Sequence, residues 1–245
     1  MGNRFRQLLK RSDFLVALVK ALRTGREEFH RVVWLLTRSK LLNAYATSHQ
    51  VRKLQIGTGS NFLKGWLNTD YCPLSSEVAF LDAAKPFPFQ DATFDYVFSE
   101  HLIEHLPYTG GLNMLREANR VLKPGGKIRI ATPNLEKLIS LYAPDKTEFQ
   151  KRYILWTTDV WLPEIGQYGE CFVLNNFFRN WGHLFIYDRR TLQLALEEAG
   201  FTNFNCYPVA ESDDESLRGL EYHGEIIGAE INQFETMVLE AERPK

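Results

Sequence analysis

Residues 53–70 read Lys53-Leu-Gln-Ile-Gly-Thr-Gly-Ser-Asn-Phe-Leu-Lys-Gly-Trp-Leu-Asn-Thr-Asp70. An apolar run enters a Gly-x-Gly turn at Gly57 and Gly59, and a second apolar run ends at the acid Asp70. In open α/β sheets, glycines in such a turn let backbone N–H groups approach a ligand closely, and an acid at the end of the next strand accepts ribose hydroxyls. The stretch therefore predicts a nucleoside pocket at the carboxyl ends of two strands.

The chain that follows has the pattern of an α/β protein. Short apolar runs alternate with helical segments, which is typical of a parallel sheet with crossover connections. The predicted fold is α/β, a doubly wound, Rossmann-like, mostly parallel seven-stranded sheet with an antiparallel edge pair, plus an N-terminal helical extension. We predict helices over 110–122 and 188–199, and strands over 53–57, 66–70, 78–82, 94–99, 127–132 and the edge pair 203–209 and 235–241.

The connections between the predicted strands and helices carry signals of their own. Only residues 60–65 separate the first two strands, whereas a parallel crossover usually takes about a dozen residues. Either the first crossover helix is reduced to about one turn or the second strand starts later, and we prefer the shortened helix. The segment 124–126, Pro-Gly-Gly, is predicted to form a turn, and Asp188 and Gly200 are expected to begin and end the helix between them.

The first 50 residues form a basic extension. Residues 1–53 contain twelve Lys/Arg and three Asp/Glu, so the rest of the chain carries −10 of a net charge of −1. Apolar residues recur at three-to-four spacing over residues 1–42, which predicts amphipathic helices with a break at Thr24-Gly25. We expect a cap packed on the main domain; the alternatives are peripheral contact with an anionic membrane or binding of a partner.

Composition indicates an ordinary globular chain. With 245 residues, 44% of them hydrophobic and 24% charged, one large domain with an extension is expected. No apolar run reaches the ~18 residues needed to span a bilayer, and no signal peptide is expected. Cys72, Cys171 and Cys206 lie far apart and are predicted to be free thiols in a reducing compartment. We therefore expect a cytoplasmic protein, with membrane contact limited to residues 1–42.

Residues 134–187 interrupt the regular pattern. Aromatic residues crowd this segment, and a long stretch with little periodicity is usually functional in a compact domain. It is predicted to be an insertion that acts as a lid over a substrate; the alternative is a satellite hydrophobic cluster without a ligand.

Four sequence blocks together resemble a known family. They are Gln55-Ile-Gly-Thr-Gly59, Asn68-Thr-Asp70, Phe94-Asp-Tyr-Val-Phe-Ser-Glu-His-Leu-Ile-Glu-His105 and Arg120-Val-Leu-Lys-Pro-Gly-Gly-Lys-Ile-Arg-Ile130. The combination resembles the class I S-adenosylmethionine-dependent methyltransferases, in particular the methyltransferase type 11-like group. The resemblance implies that residues 51–245 form the methyltransferase domain, with 134–187 as its insertion.

The resemblance implies S-adenosylmethionine as the cofactor and assigns roles along the strand ends. Gly57 and Gly59 would let the backbone approach the methionine part, and Asp70, followed by Tyr71, would hold the ribose. The adenine would be recognised by Asp82 and Ala83, and the methyl donor would face Glu100 and His101. The family usually has an acid where this chain has Gln55, whose amide keeps hydrogen bonding without the charge. The alternative for Asp70 and Asp82 is that each only caps a loop or a helix.

Methyl transfer to a hydroxyl needs alignment and a base. Histidine suits this role because its unperturbed pKa lies near neutrality. His183 is the first candidate and His101 the second; the alternative for His183 is a structural histidine bonded to the backbone. Glu104 and His105 are expected to fasten the structure, and no metal site is predicted.

The sequence thus predicts a methyltransferase that acts on a small-molecule or glycan acceptor at a hydroxyl oxygen. A non-catalytic binding or scaffold protein of the same fold is the alternative. A nicotinamide dehydrogenase is disfavoured because the third glycine of that fingerprint is missing and Asp70 comes too early. No nucleic-acid partner is expected, since the main domain is acidic and no Asn/Asp-Pro-Pro-Tyr/Phe motif follows the fourth strand. The oligomeric state is left open.

Overall fold

The computed structural model describes residues 13–73 and 75–245. Seven strands form one sheet: β1 Lys53–Ile56, β2 Leu67–Asp70, β3 Ala79–Phe80, β4 Phe94–Glu100, β5 Leu122–Pro133, β6 Thr202–Tyr207 and β7 Thr236–Glu242. Their order across the sheet is β3-β2-β1-β4-β5-β7-β6. The first five strands pair in parallel, and β7 runs antiparallel to both β5 and β6. The predicted sheet with its antiparallel edge is therefore confirmed.

Helices connect and cover the strands. They are α1 Asp13–Ser48, α2 Tyr108–Val121, α3 Leu135–Ser140, α4 Glu148–Trp161, α5 Glu170–Arg179, α6 Arg189–Glu198, α7 His223–Ile227 and α8 Ala229–Glu235, with a 3-10 turn over Ile103–His105. The predicted helix over 188–199 is α6. Asp188 Oδ1 accepts a hydrogen bond from Thr191 N at 2.7 Å, and Gly200 follows the helix with φ +90°. Asp188 therefore caps the start of the helix and Gly200 follows its end, as predicted.

The central strands are covered on both faces, as parallel strands usually are. Val97 of β4 belongs to the main core together with Leu115 of α2 and Leu196 of α6. Its neighbour Phe98 points the other way, into a separate cluster that includes Leu217. Because successive side chains of a strand alternate between faces, the buried core fixes the register of β4. It thereby fixes which residues emerge at its carboxyl end.

Two connections differ from their predictions. Residues 57–66 contain turns and no helix, and Asn68 holds this loop by bonding both Leu63 N at 3.0 Å and Leu63 O at 2.9 Å. The prediction of a one-turn crossover helix is wrong, because side-chain bonds replace it. The Pro-Gly-Gly segment is the start of β5 instead of a turn: Gly125 N bonds Arg243 O and Arg243 N bonds Gly126 O, which prolongs the ladder.

The helix α1 continues through Gly25, so the predicted break at Thr24-Gly25 is wrong. A single glycine inside a helix costs about 1 kcal/mol relative to alanine, which a long helix can absorb. Trp34 is buried in the main core, and Tyr45 donates its hydroxyl to Lys53 O at 2.9 Å. The part of the N-terminal prediction that falls on residues 1–12 lies outside the described residues. Among the described helices, none is both long and apolar enough to cross a membrane.

The aromatic segment 134–187 is not irregular. It contains α3, α4 and α5, which pack around a second hydrophobic cluster with Tyr153 and Val173 at its centre. Thr147 and Gln150 form a capping box at the start of α4. The expectation of a stretch with little regular structure is wrong because bulky aromatic residues obscure the helical period.

Candidate functional site

The Gly-x-Gly turn has the conformation that its sequence predicts. Gly57 and Gly59 have φ values of +77° and +50°, a region that favours glycine. Gly57 N and Thr58 N both donate to Thr69 O, at 2.9 and 3.0 Å. A Cβ at Gly57 would lie 2.6 Å from Leu102 Cδ1, whereas a Cβ at Gly59 would meet nothing within 4 Å. Gly57 therefore serves close packing, and Gly59 borders open space.

Asp70 lies at the end of β2 and faces this turn. Its Oδ2 accepts a hydrogen bond from Gly59 N and its Oδ1 one from Cys72 N, each at 2.8 Å. Carboxylate oxygens can accept more than one bond each, so Asp70 can fasten the loop and still accept from a ligand. The next residue, Tyr71, is exposed, and its ring lies 5.7 Å from that of Phe80.

Asp82 and Ala83 follow β3 at the same edge. Leu81 N donates to Asp70 O at 2.9 Å, which brings the chain after β3 alongside the end of β2. Asp82 Oδ1 accepts from Ala84 N at 3.0 Å, and Ala83 is buried. The local cap predicted as the alternative for Asp82 is thus present, and it occupies one of the two carboxylate oxygens.

Gln55 is buried behind the turn. Its Nε2 donates to Asn61 O at 2.9 Å, and its Oε1 is buried without a hydrogen-bond partner. A buried amide oxygen without a donor is costly. This orphaned acceptor sits directly before the glycine turn, where it would suit a donor group of a ligand.

Glu100, at the end of β4, receives three hydrogen bonds that the sequence did not predict. Its carboxylate accepts from Tyr222 N and His223 N, both at 2.9 Å, and from Asn61 Nδ2 at 3.2 Å. Asn61 Nδ2 also donates to Leu220 O at 2.8 Å. Glu100 and Asn61 therefore hold the connection between β6 and β7 over the carboxyl ends of β1 and β4. Nothing in the sequence marks the contact with Tyr222 and His223, because these residues lie more than 120 positions from Glu100.

His101 has left-handed backbone, with φ +45°, and both of its ring nitrogens are bonded. Nδ1 lies 3.0 Å from Glu104 Oε1, and Nε2 lies 3.1 Å from Thr236 Oγ1. The Thr236 hydroxyl donates to Asn232 Oδ1 at 2.7 Å, so its oxygen accepts from His101. Since a carboxylate can only accept, both ring nitrogens donate in this arrangement, which is the hydrogen bonding of an imidazolium.

His101 and Glu104 each stabilise the charged form of the other. Burial opposes the charge on His101, but the hydrogen bond and the negative charge of Glu104 outweigh it and raise the pKa of His101. Burial likewise opposes the charge on Glu104, yet the hydrogen bond and positive charge of His101 lower the pKa of Glu104. The fully buried Glu104 carboxylate also accepts from Thr132 Oγ1 at 2.9 Å. Each group of the ion pair is thus held in its ionised form.

We expect Glu104→Gln to destabilise the protein by about 1–3 kcal/mol, and the loss to depend on pH. The lowered pKa of Glu104 gives stability that is present above its ordinary 4.5 and lost as pH falls through the folded value. The raised pKa of His101 gives stability that is present below 6.5 and lost as pH rises. Urea unfolding should therefore show the largest difference from wild type between these two values. A pH-independent difference would contradict this, and the exposed Glu148→Gln is the control.

His183 presents the opposite protonation state. Its Nδ1 lies 2.7 Å from Phe177 O, and because a carbonyl only accepts, Nδ1 carries the proton and Nε2 has the free lone pair. Burial lowers the pKa of His183, against the weaker opposing effects of its hydrogen bond and of Glu104. Glu104 O accepts from Leu184 N at 2.8 Å, which ties this loop to the turn after β4. The backbone bond predicted as the alternative is present, and it leaves a neutral base on the other nitrogen.

A cavity of about 200 Å³ opens between the aromatic segment and the carboxyl ends of β4 and β5. His101 and His223 line it, and Glu100, which directly precedes His101, accepts a hydrogen bond from His223 N. Glu100 also accepts from Asn61 Nδ2, so it links this end of the cavity to the loop that contains Gly59. The other lining residues are Glu104, His105, Pro133, Trp156, Thr157, Trp161, Phe177, Trp181, His183, Ile226, Ile227 and Glu235.

One group of possible metal ligands lies in this lining. Glu104, His105 and His183 each offer one ligand atom, and these atoms lie within 4.8 Å of one another. Both Glu104 oxygens, however, already accept hydrogen bonds, from His101 and from Thr132. These bonds connect the group to the His101–Glu104 ion pair, and the prediction of no metal stays a prediction.

Sequence reasoning missed the lining residues that come from the last part of the chain. Ile226 and Ile227 lie on α7, and Glu235 ends α8. Glu235 Oε2 accepts from Tyr153 OH at 2.6 Å, and its Oε1 lies 3.5 Å from His223 Nε2. The segment was predicted only as the approach to an edge strand, and its lack of any motif left no signal.

Comparisons with known proteins found a matching family model and similar solved structures. A family model described as a methyltransferase domain matches residues 45–205, more than half of the chain. A solved S-adenosylmethionine-dependent methyltransferase from Archaeoglobus fulgidus is 19% identical, with a TM-score of 0.49, 91% of this chain covered and 99% of that one. A Thermotoga maritima methyltransferase described as a possible histamine N-methyltransferase is 16% identical, with a TM-score of 0.46 and coverages of 89% and 97%.

A longer protein is also similar. Phosphoethanolamine N-methyltransferase 2 from Haemonchus contortus, solved in complex with S-adenosyl-L-methionine, is 17% identical with a TM-score of 0.42. The match covers 80% of this chain and 49% of that chain, so this chain spans about half the length of that protein.

Proposed function

The chain belongs to the class I methyltransferase family, and we propose that it transfers the methyl group of S-adenosylmethionine to a hydroxyl oxygen of a small-molecule or glycan acceptor. When bound, S-adenosylmethionine supplies an electrophilic methyl group on a sulfonium. The protein then has to align the acceptor and take up its proton. The observation that carries the proposal is the position of Glu100: it directly precedes His101, which lines the cavity, and its carboxylate accepts hydrogen bonds from His223 N and from Asn61 of the glycine-turn loop.

The residues of the crevice fit this cofactor. Gly59 borders open space, so its loop offers room for a ligand against the backbone. Asp70 is held rigidly by two N–H groups and would accept the ribose hydroxyls on its remaining lone pairs. The orphaned Oε1 of Gln55 would accept a bond from the amino group of the methionine part. The Gln55 amide would thus make the hydrogen bond for which the family usually has an acid. Tyr71, Asp82 and Ala83 would contact the adenosine.

The acceptor would occupy the aromatic cavity. Trp156, Trp161 and Trp181 line it, and aromatic faces pack well against the C–H surfaces of sugar rings and other small molecules. His183 Nε2 would take the proton from the acceptor hydroxyl, because it is neutral and its tautomer is fixed by Phe177. His101 has no free ring nitrogen for this proton in the same arrangement, since its two nitrogens bond Glu104 and Thr236.

Calorimetry on the purified chain tests the cofactor part of the proposal. We expect S-adenosylmethionine to bind with one site per chain, and Asp70→Ala to weaken binding about 10- to 100-fold, because bonds to a charged acceptor contribute about 1.5–3 kcal/mol. Asp91→Ala is the control, since that side chain is exposed on the surface beside Arg120. Its affinity should equal that of wild type.

The same titration distinguishes the proposed enzyme from the alternative, a non-catalytic binding or scaffold protein. Absence of binding by the folded wild-type chain would favour a non-catalytic scaffold protein. Binding without methyl transfer to any of a panel of hydroxylated acceptors would leave a cofactor-binding module. Equal weakening by Asp70→Ala and Asp91→Ala would contradict the assignment of Asp70.

A further inference from the structure

The indole rings of the cavity form walls that meet at right angles. Trp161 and Trp181 contact with ring centroids 5.2 Å apart and an interplanar angle of 88°, and Trp156 stands at 87° to Trp161. Phe177 adds a further ring at 74° to Trp181. Trp161 and Trp181 remain 38% and 40% exposed, so this corner of rings is open to an incoming group. We call Trp156, Trp161, Phe177 and Trp181 the aromatic cage.

The backbone holds one cage residue in an unfavourable conformation. Trp181 has φ +56°, which a bulky side chain rarely adopts, and Gly182 follows with φ +82°. These two residues, both in left-handed backbone conformation, turn the chain away from the direction of α5. The indole of Trp181 thereby faces Trp161. Such strain concentrates at ligand sites, where the surrounding structure enforces it. His101, on the other side of the cavity, also has a positive φ.

The charges around the cage favour a cation. No described residue that lines the cavity is a lysine or an arginine. Glu104 is paired with His101, so the two charges offset each other. Glu235 is 6% exposed, and among the described side chains the neutral hydroxyl of Tyr153 is its one partner within good hydrogen-bonding distance. His223 Nε2 faces it at 3.5 Å, too far for a strong bond.

Tyr153 donates a hydrogen bond to Glu235 but does not neutralise its negative charge. Burial and the adjacent Glu235 carboxylate raise the pKa of Tyr153 well above its ordinary value, so the phenol stays a neutral donor. The cavity therefore combines electron-rich ring faces with a buried carboxylate that keeps an acceptor site free. Aromatic faces attract ammonium groups, indole most strongly, and the attraction grows when the cation is desolvated.

We propose that the aromatic cage and Glu235 bind a positively charged amine or ammonium group of the acceptor. The acceptor is then an amino alcohol or an amino sugar, whose ammonium lies among the indoles while its hydroxyl faces His183. This inference rests on the proposed function for the role of His183, but the cation site itself does not require methyl transfer. An anionic acceptor is disfavoured, because the cavity offers it no lysine or arginine.

Choline chloride and its uncharged isostere 3,3-dimethylbutan-1-ol test the site, since they share a shape and differ in charge. Tryptophan fluorescence of the full chain is titrated with each at constant ionic strength. Choline is expected to bind about three- to thirty-fold more tightly than the alcohol. Trp161→Leu should reduce choline affinity at least about threefold and change the affinity for the alcohol little.

Glu235→Gln tests the charge separately, because the amide retains an acceptor for Tyr153. It should weaken choline binding and leave the alcohol unaffected, whereas Glu230→Gln should change neither. Glu230 lies on the same helix, α8, and is exposed beside Arg152. Equal affinities of the wild-type chain for choline and the alcohol, or tighter binding of the alcohol, would overturn the proposal.

Calorimetry with S-adenosylmethionine on the same samples keeps the two proposals apart. If the chain binds the cofactor but binds choline and the alcohol equally, the cation site is wrong and the methyltransferase proposal still holds. If the chain prefers choline but does not bind the cofactor, the cation site holds and the methyltransferase proposal is wrong. A Trp161→Leu variant that loses cofactor binding as well is misfolded, and Glu235→Gln then decides.

Discussion

Replacing His183 by alanine is expected to lower methyl transfer about 10²- to 10⁴-fold and to leave the affinity for S-adenosylmethionine unchanged. The bond from Nδ1 to Phe177 O fixes the tautomer, so the lone pair on Nε2 is available before the acceptor binds. Alanine removes this base, while the glycine turn and Asp70 keep their contacts. The measurement is single-turnover methyl transfer beside calorimetry for the cofactor.

The pH profile of the wild-type enzyme should carry the signature of the same residue. Burial lowers the pKa of His183 below its ordinary 6.5, and only the neutral ring can accept a proton. Turnover should therefore rise with pH through a value below 6.5 and then level off, so that the base is fully available at neutrality. An alanine variant with residual activity should lack this rise.

Two controls make the result interpretable. His49→Ala removes a histidine that stacks on Tyr45 at 4.3 Å, at the end of α1, and it should leave turnover unchanged. Wild-type turnover that EDTA abolishes and a divalent metal restores would assign His183, His105 and Glu104 as metal ligands. Unchanged turnover of His183→Ala, with the cofactor saturating, would rule out the base.

Much of the fold could be predicted because its signals are local. The glycines and Asp70 lie within one short stretch, and Asp188 and Gly200 flank their helix directly, so each feature depends on backbone chemistry next to it. The failed break at Gly25 shows the limit of this reasoning. A propensity of about 1 kcal/mol predicts a preference, and the rest of a long helix can override it.

The candidate site was predicted in part, from residues that follow strands, such as His101, and from His183 at the end of the aromatic segment. His101 was expected beside the methyl donor, but its protonation depends on Glu104, Thr236 and Asn232, of which two come from the end of the chain. The Glu100 contacts with residues 222 and 223 likewise require the folded β6–β7 connection. No sequence pattern encodes such pairings, because each forms only when the sheet brings distant segments together.

Arg129 holds that connection to the sheet, and its replacement should have the largest effect on stability. It lies on β5 without exposure to solvent, and its Nε bonds Glu221 Oε1 at 2.6 Å. Its Nη1 bonds Glu240 Oε1 at 2.6 Å and Glu211 O at 2.8 Å. One guanidinium thus bonds two carboxylates and ties the chain before Tyr222 to the central sheet.

Arg129→Met should destabilise the protein by about 3–5 kcal/mol in urea unfolding, because it keeps the volume of the side chain but leaves Glu221 and Glu240 buried without a cation. Lys127→Met on the same strand is the matched control. Its partly exposed pair with Asp214 should contribute less than about 1 kcal/mol.

The pH dependence of Arg129→Met distinguishes lost charge pairing from lost packing. Burial already raises the pKa of Glu240 even with Arg129 present, so without the arginine its folded pKa rises further. The Glu240 carboxyl then takes up a proton as the pH falls, and the deficit relative to wild type should shrink between pH ~8 and ~5. A deficit that stays constant over this range would mean that the methylene packing, and not the ion pairs, stabilises this part of the sheet. The variant should also bind S-adenosylmethionine more weakly, because the loosened β6–β7 connection no longer positions the backbone N–H groups that hold Glu100.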